Sequence, residues 1–235
     1  MTTLSLQQRE AIDAYMELIG RYPALFGARV RRPIVMRREL LEEYAAENNC
    51  VLGVTASTPH VYFVTDLVRS ATGQGGEFLH PYIRVLFKSE LEGGVNTAVL
   101  ATVADRSLGH EGDIILVAQE RHATGAMETG IPRGFGKPGL TGEQNALSEL
   151  REETGYLGRE AVRLGATFID SGLTGAVVNF YHVPVIGRED SKPEVEEAIL
   201  GVRILPLHEL WKQILAGQIR DGFTIQALTF FEKFK

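Results

Sequence analysis

One cysteine, Cys50, is all the thiol this chain contains. An internal disulfide is therefore excluded, and a thiolate metal cluster has too few ligands. No apolar run approaches the roughly 20 residues that a membrane-spanning helix needs. The opening MTTLSLQQRE lacks the basic-then-apolar layout of a secretory signal. A basic surplus is missing too: 24 Lys and Arg stand against 30 Asp and Glu, a formal charge of -6. That balance disfavours a nucleic acid as partner, because phosphate recognition draws on positive surface. The expectation is a soluble, cytoplasmic protein with no membrane and no nucleic-acid partner.

What is present supports a large core. Of 235 residues 44% are apolar, which excludes general disorder. Glycine is abundant, 25 residues against a usual share of about 7%, so many tight turns between short elements are expected. There is no internal repeat and no low-complexity tract.

The first 50 residues read as helical. Ser5 with Gln8 three residues on resembles a capping box, and Ile12, Tyr15, Met16 and Ile19 share one helical face. Leu40, Leu41, Tyr44 and Ala45 repeat the pattern. From Val61 the rhythm becomes that of strands, with a turn near residues 72–76 and a return strand from Tyr82. Val95–Ala104 and Asp113–Gln119 are two further β-rich segments. A helix is expected over 142–154, then strands over 166–170, 176–185 and 202–206, and a helix over 207–216 whose core face carries Leu207, Leu210, Trp211 and Ile214. Strands and helices mix without strict βαβ alternation, so the fold class is α+β. The division drawn is an N-terminal extension over residues 1–92, helices and then a β-hairpin, followed by one domain over 93–235.

One stretch stands apart, Gly134 to Gly155. On a helix Glu149, Glu152 and Glu153 sit at i, i+3 and i+4 and project from one face, while Ala146, Leu147, Leu150 and Thr154 fill the other. Three carboxylates this close repel one another. A hard divalent cation removes that cost, since it prefers oxygen ligands and keeps some waters. Taken alone, such a face is more often solvated and salt-bridged, for instance to Arg151.

Gly134-x5-Leu140-x7-Ser148-Glu149-Leu150-x-Glu152-Glu153-x-Gly155-Tyr156 resembles the Nudix box, G-x5-E-x7-R-E-U-x-E-E-x-G-U with U apolar, over its whole spacing. Two positions depart: Leu140 stands for the first Glu and Ser148 for the Arg. Gln119-Glu-Arg121, Ile131-Pro-Arg-Gly134 and the segment from Gly217 through Asp221 to Thr224 are similar to the ADP-ribose pyrophosphatase branch. The resemblance implies an α/β/α sandwich of mixed sheets and a homodimer built by strands within 61–87. It implies Glu149 and Glu153 as Mg2+ ligands (Mn2+ the other candidate), Glu152 as ligand or water-orienting base, and the backbone carbonyl of Arg133 as a further ligand. Arg121 would reach a substrate phosphate, and Glu197, with Glu194 and Glu196 as rivals, would activate the water. The implied partner is a small nucleotide-type substrate, with ADP-ribose leading. Losing the box arginine removes a charge partner of the neighbouring glutamate, so a catalytically impaired ligand-binding module is the alternative reading.

Other signals carry less. Gly134-Phe-Gly136-Lys-Pro-Gly139 matches G-x-G-x-x-G, but no strong strand leads into it and Pro138 delays the helix. Lys137 is followed by Pro138 rather than Ser or Thr, so it is not a P-loop lysine. The six histidines show no metal-ligand spacing, and no G-x-S-x-G elbow occurs.

Overall fold

The structure, a computed structural model, describes residues 3–27, 29, 31–72, 75–190 and 198–234. It divides into two compact units, Met1–Leu91 with Ile169–Ala176, and Glu92–Phe168 with Val177–Lys235.

In the first unit, α1 (Leu6–Arg21) opens on the expected capping box. Ser5 Oγ accepts from the Gln8 backbone N–H at 3.2 Å and Gln8 Oε1 from that of Ser5 at 2.8 Å. After a 3-10 turn, α2 (Arg38–Asn48) leads to an antiparallel sheet of β1 (Gly53–Ser57), β2 (Val61–Ala71) and β3 (Glu77–Phe87), and α3 (Lys88–Leu91) follows. Ile12, Tyr15 and Leu18 of α1 pack with Leu41 and Ala45 of α2 and with Val64 and Leu67 of β2. A buried salt bridge, Asp66 with Arg84, lies inside this core. Asp66, fully buried, accepts from Tyr15 Oη at 2.5 Å and from the Arg84 guanidinium. Burial first, and then the Asp66 charge, push the Tyr15 hydroxyl far above its ordinary pKa.

The second unit contains β4 (Thr97–Val103), β5 (Ile114–Arg121), β6 (Ala126–Gly130), β7 (Arg133–Gly134), α4 (Gly142–Thr154), β8 (Tyr156–Gly158), β9 (Val162–Phe168), β10 (Val177–Arg188), β11 (Ile199–Leu205), α5 (Leu207–Leu215) and α6 (Gly222–Phe234). The sheet runs β11-β5-β4-β10-β8, with β6 on β5, β7 on β4 and β9 on β10. Parallel pairing of β4 with β10 makes it mixed.

Every residue of β4 is buried, so alternate side chains must meet a different layer on each face. Ala98 and Leu100, with Ile114 and Leu116 of β5, pack on Leu210 of α5 and on Ala227, Leu228 and Phe231 of α6. Val99, Ala101 and Val103, with Ile115 of β5, pack on Ala146 and Leu150 of α4. The result is the expected α/β/α sandwich. Trp211 and Ile214 pack against the α5–α6 side, as their spacing indicates.

The strand expected over 166–170 instead covers Val162–Phe168. Asp170 begins a turn there, its carboxylate accepting from the Gly172 N–H at 2.8 Å. Cys50 is half-buried, and burial raises its thiol pKa. Among the described residues no helix is long and apolar enough to cross a membrane.

Candidate active site

Both ends of α4 are locally determined. Thr141 Oγ1 accepts from the Gln144 N–H at 3.3 Å, and Gln144 Oε1 from the Thr141 N–H at 2.9 Å, a second capping box. At the other end Gly155 takes φ 74°, a left-handed conformation open to glycine at little steric cost.

Ahead of α4 the glycine-rich loop is fastened by two buried asparagines. Gly136 N–H donates to Asn96 Oδ1 at 3.1 Å and Lys137 N–H to Asn145 Oδ1 at 3.3 Å. Asn145 Nδ2 in turn donates to Thr97 Oγ1 at 2.9 Å. At Gly134 an added Cβ would lie 2.2 Å from the Glu149 carboxyl carbon, so that carboxylate lies directly against the loop backbone.

Glu149 and Glu153 are 5% and 3% exposed, so these two acids are not solvated, while Glu152 is half-buried. Glu153 Oε2 accepts from the Arg133 backbone N–H at 3.3 Å. Lys137 Nζ stands 2.5 Å from Glu152 Oε2 and 3.5 Å from Glu149 Oε1, and Ser148 Oγ donates to Glu152 Oε1 at 2.7 Å. Burial disfavours the ionised form of Glu152, but the hydrogen bonds from Lys137 and Ser148 outweigh it and lower its pKa. For Lys137 burial acts downward, and the contacts with Glu152 and Glu149 outweigh it and raise its pKa. Oxygen-only donors on one helix face, with a cationic group already drawn among them, suit a hard divalent ion. Among the described residues no three His, Cys, Asp or Glu side chains close into a metal cage; the fit is one of donor chemistry.

Beside these carboxylates, in the same unit, lies a cavity of about 450 Å3 whose wall carries Gln119, Arg121, Glu128, Arg133, Arg220 and Asp221. Arg133 belongs to both places: its backbone N–H meets Glu153, and the residue lines the cavity. Its guanidinium is 2.5 Å from Asp221 Oδ1 and stacks 4.5 Å over the Phe223 ring. Asp221 is itself fixed by Thr224, whose backbone N–H and Oγ1 both donate to Oδ2, at 2.9 and 2.7 Å. Arg220 pairs with Glu128 at 2.6 Å. Arg133 and Arg220 are thus each paired with an acid, and guanidinium donors in this wall suit phosphate oxygens.

The structure therefore brings together Glu149, Glu152, Glu153 and Arg133, and sets Arg121 in the adjoining wall. Glu197, with its rivals Glu194 and Glu196, lies outside the described residues. Lys137 escaped the sequence reading except as a failed phosphate-loop lysine; Asn145 and Arg220 entered it only as unremarked members of the matching segments, and Glu128 escaped it altogether. A lysine inside a loop directly before a three-carboxylate helix is the signal that could have found the first. Leu140 is half-buried, and its N–H closes the loop on the Lys137 carbonyl at 3.1 Å; it adds no fourth acid.

Comparison with known proteins gives a consistent result. The family model described as the NUDIX domain matches residues 95–225. The ADP-ribose pyrophosphatase of Bacillus subtilis is 27% identical over 131 residues, 55% of this chain and 71% of that protein. The ADP-sugar pyrophosphatase of Mus musculus is 34% identical over 131 residues, 53% and 59% of the respective chains. Among solved structures, an ADP compounds hydrolase superposes with a TM-score of 0.59 at 16% identity, covering 77% of this chain and 89% of that one, a likeness of fold.

Proposed function

The chain belongs to the Nudix family and is a Nudix hydrolase, and from that premise we propose that it cleaves the diphosphate of a nucleoside diphosphate joined to a second moiety, with ADP-ribose as substrate and Mg2+ as the metal. The observation that carries this reading is the adjacency of two sets of groups. Two buried carboxylates, Glu149 and Glu153, lie beside a cavity walled by Arg121, Arg133 and Arg220. The named activities of the two curated relatives agree with it.

In this reading Glu149 and Glu153 hold the ion, with Glu152 and the Arg133 carbonyl as further donors. A bound divalent ion neutralises diphosphate oxygens and makes water more acidic. The arginines hold the phosphates, as charge-assisted donors do for oxyanions. A carboxylate, Glu152 or Glu197, accepts the proton of the attacking water while the bridging P–O bond breaks, giving AMP and ribose 5-phosphate. Pairing of two chains through strands within 61–87 belongs to the same proposal, and light scattering checks it.

The test is hydrolysis of ADP-ribose, NADH, diadenosine polyphosphates, nucleotide sugars and nucleoside triphosphates, with Mg2+ or with EDTA, beside Glu153→Gln. Metal-dependent release of AMP from ADP-ribose, lost in Glu153→Gln, is expected. Turnover that survives EDTA or the substitution would refute it. Tight ADP-ribose binding without turnover would favour the impaired module, against which Ser148 still donates a hydrogen bond to Glu152.

A further inference from the structure

Both carboxylate oxygens of Glu152 are held by side-chain donors. Oε1 receives Ser148 Oγ at 2.7 Å from one turn earlier in α4, and Oε2 receives Lys137 Nζ at 2.5 Å from the loop 15 residues upstream. Lys137 is not a wandering surface lysine. Its backbone N–H is fixed by Asn145 Oδ1, and Asn145 is fully buried with its own amide on Thr97 Oγ1 and the Val95 and Phe135 carbonyls. The same ammonium lies 3.5 Å from Glu149 Oε1, so it ties two of the three carboxylates together.

We propose that Lys137, seconded by Ser148, is the positioning residue for Glu152, a loop cation doing from outside the helix what a side chain at position 148 would otherwise do from within it. The proposal rests on the hydrolase reading above for its kinetic half only. An ammonium whose loop backbone is fixed by a buried asparagine limits the rotamers of Glu152 and offsets repulsion from Glu149 and Glu153. Restoring a cation at position 148 therefore brings no gain while Lys137 is present, because two like charges would compete for one carboxylate. The same change becomes useful once Lys137 is gone.

The experiment compares wild type with Lys137→Met, Lys137→Arg, Ser148→Arg and the double variant Lys137→Met/Ser148→Arg. Turnover of the substrate found in the panel is measured first. Lys137→Met should lower kcat about 10- to 100-fold, the range seen when a partner of a metal-site ligand is removed, with KM little changed. Lys137→Arg should keep most of kcat, Ser148→Arg should not exceed wild type, and the double variant should recover part of what Lys137→Met loses. The second readout is the melting temperature of the metal-free proteins in EDTA. There Lys137→Met should fall by about 2–4 °C, Lys137→Arg should stay near wild type, and the double variant should regain part of the fall. If no panel compound is turned over, the hydrolase reading fails and the melting series alone decides the role of Lys137. Unchanged kcat and melting temperature in Lys137→Met, or a double variant no better than Lys137→Met, would overturn the proposal.

Discussion

Gly134 shows how little room the acidic centre leaves. A methyl group there would lie 2.2 Å from the Glu149 carboxyl carbon and 2.6 Å from Oε1, well inside van der Waals contact, and Glu149 sits on a helix that cannot retreat from the sheet. Gly134→Ala should therefore displace Glu149 rather than unfold the chain. Steady-state hydrolysis is expected to fall at least about tenfold while the far-UV circular dichroism stays that of wild type. Tyr15 makes a different prediction. The group keeps its proton in the folded chain above the pH of about 10 at which an unfolded tyrosine loses it. The stabilisation from Tyr15 is thus complete below pH 10 and is lost as pH rises beyond it. Near pH 8, Tyr15→Phe should cost about 1.5–3 kcal/mol, as for a hydrogen bond to a charged acceptor. Wild type and variant should converge as pH rises beyond 10, a trend that urea midpoints measured at pH 8 and again well above pH 10 will show.

At the scale of elements, what the sequence revealed tracks how many independent signals each segment carries. α4 was legible over Gly142–Thr154 because a periodic apolar face is closed by Gly155 at its end. Its beginning rests on the Thr141–Gln144 box, so Thr141→Ala should cost about 1 kcal/mol, read as a fall of about 2–4 °C in the melting temperature. A smaller loss would mean that packing against β4 and β8 alone defines the helix start. β6, β7 and β8 were not legible, being two to five residues long, too short for an alternation to register. α6 was read only as part of a family likeness. Its apolar residues occupy most of its circumference, as a helix with Ala227 and Leu228 in the core requires, so no clean polar face marks it. The Asp221–Thr224 cap was its one local signal.

At the scale of the whole molecule, the acidic face was legible and its surroundings were not, for a reason of distance along the chain. Glu149, Glu152 and Glu153 share one turn of helix, so spacing alone gathers them. Arg133 reaches Asp221 across 88 residues and Arg220 reaches Glu128 across 92, pairings that exist only after the mixed sheet has closed. The same closure fixes how a divalent ion acts on stability. The unfolded chain scatters the Arg133 backbone away from the α4 carboxylates, so an ion held by the folded arrangement favours folding by RT ln(1 + [L]/Kd). At one hundred times its Kd, Mg2+ should stabilise by about 2.7 kcal/mol, a rise of roughly 5–10 °C in calorimetry, reversed by EDTA. Glu153→Gln should lose most of that increment. Tyr15→Phe, whose site lies in the other compact unit, should keep it. An equal loss in both variants would mean that the ion acts through general charge neutralisation of a chain carrying -6 rather than through the α4 carboxylates.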